Sequence, residues 1–101
     1  MEKEIYVAIK KVDEALDTKE IDNSLEACQE IVGGYIEMVA VNDDGLYLVC
    51  DEEGKLKGKD VNFAFNSDLI VGDVFFVRVD EEGDFASITD KDLLEIDGLI
   101  W

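Results

Sequence analysis

Asp73-Val74-Phe75-Phe76-Val77-Arg78-Val79-Asp80 is the strongest strand signal in the chain. β-Branched and aromatic residues fill it and an aspartate closes each end, the composition that favours a pleated, buried backbone. Downstream, Glu81-Glu82-Gly83-Asp84 reads as a hairpin turn, with Phe85–Ile88 as the returning strand. Thr89 then caps a last helix near residues 90–96. Asp90 and Asp92 stand in its first turn, where the helix dipole favours anions, and Leu93, Leu94 and Ile96 form its apolar side.

Upstream, Val61–Phe65 carries apolar residues and is expected as one short helical turn. Glu52–Asp60 is a charged loop holding Gly54 and Gly58. Tyr35–Val41 and Leu46–Asp51 flank the turn Asn42-Asp43-Asp44-Gly45, a hairpin pattern. Within its second arm, Leu46, Leu48 and Cys50 face one way and Tyr47, Val49 and Asp51 the other. A helix at about 24–32 precedes this hairpin: Asn23 is read as its N-cap with Glu26 completing a capping-box variant, and Leu25, Cys28, Ile31 and Val32 form one stripe. Gly33-Gly34 ends it. Ile5–Lys10 alternates as a half-buried strand, and after the polar turn Asp13-Glu14, Ala15–Ile21 is expected to return beside it. The order predicts one α+β domain over residues 1–101: a small, mostly antiparallel sheet of five or six strands, with two main helices packed on one face.

The 101 residues suit one domain, and at 48% hydrophobic they can bury a core. Twenty-six acidic against 9 basic residues give a formal charge of −17. Such a charge repels nucleic acid, whose binding needs clustered lysine and arginine, so direct nucleic-acid binding is not expected. A protein that competes with DNA for a basic partner remains compatible with it, as does an acidic surface that serves only solubility.

No histidine is present, which removes the commonest general base, the Ser-His and Cys-His nucleophile pairs and the usual catalytic zinc ligands. Neither GxGxxG nor a P-loop pattern occurs, and Asp43-Asp44 and Asp51-Glu52-Glu53 lack the spacing of a calcium loop. No enzymatic activity, cofactor or metal is therefore expected. The absence of a long apolar run or a leader-like start predicts a cytoplasmic protein without a membrane span. Cys28 and Cys50 form no CxxC pair and read as small buried apolar residues.

Lys55, Lys57 and Lys59, flanked by Gly54 and Gly58, are three of only nine basic residues. An extended loop would project all three from one face as a small anionic-ligand site, for a phosphate or carboxylate. The competing and favoured reading is local neutralisation of Asp51, Glu52, Glu53 and Asp60. Arg78, the only arginine, is expected to pair with a carboxylate. Gly33-Gly34-Tyr35-Ile36-Glu37 offers a ligand-binding turn or, more simply, a helix end feeding a strand.

Residues 24–37, Ser-Leu-Glu-Ala-Cys-Gln-Glu-Ile-Val-Gly-Gly-Tyr-Ile-Glu, and 48–58, Leu-Val-Cys-Asp-Glu-Glu-Gly-Lys-Leu-Lys-Gly, resemble the domain-of-unknown-function family 3846. Ile70-Val71-Gly72 with Val77, and Asp84–Asp90, fit its later motifs, so the resemblance covers about the last three quarters of the chain. Asp51 stands where that family often has Asn, and Lys59-Asp60 where it often has Leu-Pro. The resemblance implies an accessory role in bacterial phages, plasmids and integrative elements, and no reaction. On that footing the chain is expected to act by binding a protein partner or a small anionic ligand. One version is an acidic DNA mimic, of the anti-restriction kind, on a host DNA-binding protein.

Overall fold

The computed structural model describes residues 2–100; Met1 and Trp101, the two ends of the expected domain, lie outside the described residues. The elements run β1 (Glu4–Lys10), β2 (Asp17–Asp22), α1 (Leu25–Val32), β3 (Ile36–Ala40), β4 (Leu46–Asp51), β5 (Val61–Phe65), β6 (Asp68–Val71), β7 (Val74–Val79), β8 (Phe85–Ala86) and α2 (Asp90–Ile100). The main sheet has the order β2-β1-β7-β4-β3, with β8 pairing β7 at Arg78↔Ala86 and Val79↔Phe85. Every pairing is antiparallel, so the fold is a small α+β domain built on a six-stranded antiparallel sheet and two helices.

β7 lies between β1 and β4, and both of its faces are covered. Phe75 and Val77 join Val7, Ile9, Val49, Cys28 and Val32 in the core beneath α1. Val74 and Phe76 join Ala8, Leu46, Leu48 and Ile96 of α2 in a second core on the opposite side. The two helices therefore sit on opposite faces, not on one. The unbroken run Val74-Phe75-Phe76-Val77, at most 1% exposed throughout, requires cover on both sides.

Val61–Phe65 is a strand, not a helical turn. Phe63 and Phe65 point into the second core while Ala64 faces out, a period of two, and Phe63 stacks on Phe76 with ring centroids 6.2 Å apart. Asn66 (φ 50°) and Ser67 (φ 64°) both adopt the left-handed conformation, which closes a two-residue hairpin onto β6. Helix α1 is capped by Ser24, whose hydroxyl accepts from the Ala27 N–H, and not by Asn23. The Asn23 amide instead donates to the carbonyls of Glu2 and Phe85, tying the N-terminal segment to β8. Leu25 and Leu94, expected on buried stripes, are 59% and 77% exposed.

Candidate functional site

Asp51 ends β4 in phase with Val49, so its side chain turns toward the α1 face and is only 1% exposed. A buried carboxylate requires partners, and three reach it. The amines of Lys57 and Lys59 each lie 2.8 Å from Oδ2, and the Glu53 N–H donates to Oδ1 at 2.9 Å. Burial alone would raise the pKa of this carboxyl. The two ammonium groups and the Glu53 amide outweigh burial and hold it well below the usual carboxylate range. Its hydrogen bond to Asp51 raises the Lys57 pKa.

The loop that delivers these lysines is wound, not extended. Lys57 N–H donates to Glu53 O, and Gly58 (φ 70°) then reverses the chain, with Gly58 N–H to Lys55 O and Lys59 N–H to Gly54 O. That pattern is a single helical turn closed by a left-handed glycine. It separates the three lysines. Lys57 and Lys59 converge on Asp51 and also donate to the last carbonyls of α1, Lys57 to Gly33 O at 3.2 Å and Lys59 to Val32 O at 2.6 Å. Cations there complement the negative end of the helix. Lys55 points elsewhere and pairs with Asp68 at 2.6 Å, both side chains being well exposed. Gly34 makes the close approach possible: a Cβ on it would lie 2.6 Å from Asp51 Oδ1 and 2.7 Å from the Lys57 amine.

A second buried carboxylate, Asp92, is 3% exposed in its side chain and receives the Arg78 guanidinium in a two-pronged contact, Nε to Oδ2 at 2.7 Å and Nη2 to Oδ1 at 2.9 Å. Asp92 and Thr89 also cap α2 reciprocally, Asp92 N–H to Thr89 Oγ1 and Thr89 N–H to Asp92 Oδ2. Burial opposes ionisation of Asp92, yet Arg78 and Thr89 lower its pKa overall. Arg78 Nη1 donates to Asp44 O at 2.7 Å, so one guanidinium joins β7, α2 and the 42–45 turn.

Lys10 is also buried, its amine donating to Lys11 O and Asn62 Oδ1. Lys10, Lys57, Lys59 and Arg78, four of the nine basic residues, thus serve internal contacts. Among the described residues only two acids, Asp51 and Asp92, are buried with them. The remaining carboxylates are exposed, apart from the half-buried Asp73 and Asp84, and several lie around one end of the molecule. There the turns bearing Asp43-Asp44 and Asp80-Glu81-Glu82 meet through a Val79 N–H to Gly45 O bond, and the Asn42 amide binds Glu95.

Among the described residues no group of three or more cysteines and carboxylates is placed to hold a metal ion. Cys28 and Cys50 are free thiols on opposite faces of the sheet. No described helix is long and apolar enough to cross a membrane. The burial of Asp51 is the feature that sequence reading missed. Its signal was present: Asp51 alternates in phase with Val49, and a lysine pair follows within eight residues.

Residues 4–98 match the family model described as Domain of unknown function (DUF3846), and the chain belongs to that family. No curated protein and no solved structure matches it.

Proposed function

We propose that this domain is a non-catalytic binding protein, a cytoplasmic accessory of a bacterial mobile element, that recognises a basic protein partner through its outward negative charge. The observation that supports this reading is the inward use of cations. Lys57 and Lys59 close on Asp51, Arg78 on Asp92, and Lys10 is buried, so the surface is richer in acid than the composition alone conveys. A surface of one sign steers an oppositely charged partner at long range and makes association fast and salt-sensitive. A DNA-mimicking inhibitor would be one form of it.

The site chemistry supports binding over catalysis. Asp51, between two lysines, and Asp92, against Arg78, are held ionised, which makes them poor proton acceptors near neutral pH. At the lysine loop, Lys57 and Lys59 each already donate to Asp51 and to the end of α1, so a small anion would compete there with an internal carboxylate. The test is affinity capture from a bacterial lysate at low and at high salt, with mass spectrometry of the protein and small-molecule fractions. A basic DNA-handling protein retained only at low salt is the expected result. A copurifying anionic metabolite with no macromolecule would overturn the reading.

A further inference from the structure

We propose that β3 is a docking edge, to which an extended, basic segment of a partner adds as the next strand. This rests on the acidic-binding reading above and gives it a site.

Among the described residues β3 ends the sheet and pairs with β4 alone. At the two ends of that pairing, Val41 N–H donates to Leu46 O and Glu52 N–H to Tyr35 O. Antiparallel ladders alternate, so Glu37 and Val39 turn their main-chain groups toward β4, while Ile36, Met38 and Ala40 turn theirs outward. Met38, at the centre, is 40% exposed. A row of outward N–H and C=O groups is a template for another strand unless charge or cover blocks it. The opposite edge is blocked in this way: β2 carries Asp17, Lys19, Glu20 and Asp22 in six residues. β3 carries Glu37 alone in five.

The flank of β3 indicates what the edge accepts. Beside Glu37 and Val39 lies a recess of about 140 Å³, walled on its far side by β6 and bearing the carboxylates of Glu37, Glu52 and Asp68 against a single lysine, Lys55, already paired with Asp68. A strand added about 4.8 Å beyond β3 would direct alternate side chains toward this recess, beside Glu37, and the others toward Met38 and Ile36. Basic residues fit the first set and apolar residues the second. A second copy fits poorly, because it would bring another Glu37 and another net charge of −17 to the same seam.

The probe is a capped synthetic peptide of about seven alternating lysines and valines, the length of an ordinary strand. Its control is the same peptide N-methylated at every second residue, which keeps the charge and removes the pairing. The expected result is slowed amide exchange at Ile36, Met38 and Ala40 with the first peptide, and binding about tenfold weaker for the control, the worth of one or two main-chain hydrogen bonds. Met38→Pro removes an outward donor and leaves the β4 ladder intact, so it should abolish the protection. Glu37→Lys, which alters no backbone group, should weaken binding without affecting the fold. If both peptides bind equally, with shifts centred on the acidic turns at 43–44 and 80–82, the edge proposal falls and the acidic-binding reading survives. If neither binds, both fall. Self-association through residues 36–40 would assign the edge to a second copy and overturn the proposal.

Discussion

The amine of Lys59 touches the carboxylate of Asp51 at 2.8 Å and the carbonyl of Val32 at 2.6 Å, so one side chain joins the end of β4 to the end of α1. Breaking a buried ion pair by removing one partner costs several kcal/mol, because the other is left uncompensated. Here the amines retain some solvent, and Asp51→Asn should lower unfolding free energy by about 2–3 kcal/mol at neutral pH, read by urea denaturation. The folded-state pKa of Asp51 is depressed, so its contribution is fully present above about pH 5 and declines as the pH falls below about 4. The gap between wild type and Asp51→Asn should therefore narrow in acid. Part of the acid sensitivity should persist in the variant, because the Asp92 pKa is also depressed.

Gly34→Ala and Gly58→Ala separate two reasons for glycine. At Gly34 the new methyl would meet Asp51 and Lys57 below 3.0 Å, and the ion-pair cluster must open. At Gly58 nothing lies within 4 Å, and only the left-handed backbone (φ 70°) resists. Denaturation midpoints should show Gly58→Ala losing about 1 kcal/mol and Gly34→Ala losing more, about 2–3 kcal/mol.

Thr89→Ala removes one half of the α2 cap and should cost about 1 kcal/mol. Asp92→Ala also strips the Arg78 guanidinium of its partner and should cost about 3 kcal/mol. Amide exchange should localise the Thr89→Ala effect to the first turn of α2, while Asp92→Ala should also loosen the 42–45 turn through Arg78.

Both thiols should be slow to alkylate in the folded protein. Burial raises the Cys28 pKa, and burial with the nearby charges of Glu37 and Asp51 pushes Cys50 up to about 11. Iodoacetamide labelling at pH 7.5 should accelerate at least about tenfold in denaturant, as the thiols return toward ordinary acidity. Oxidants should not join Cys28 to Cys50 within one folded chain, since they lie on opposite faces.

The strands at 4–10, 36–40, 46–51 and 74–79 were legible because alternation and β-branched content are local properties. The same run at 74–77 also carried the three-layer arrangement, since apolar residues at consecutive strand positions need cover on both sides. The β5–β6 hairpin was misread because five residues with two phenylalanines fit a helical turn as well as a strand; left-handed Asn66 and Ser67 decide it, and neither is glycine. The lysine cluster was visible as composition, but its direction was not. That depends on Gly58 reversing the loop and on the end of α1 meeting β4, both tertiary events.

Those lysines serve the fold, and recognition falls to the acidic surface under the proposed function. Amide-resolved NMR titration with phosphate, sulfate and nucleotides tests this most directly. No saturable shift is expected at residues 54–60, because Lys57 and Lys59 remain on Asp51 and the helix end. Saturable shifts confined to those amides, abolished by Lys57→Gln, would contradict it and establish an anion site in the loop.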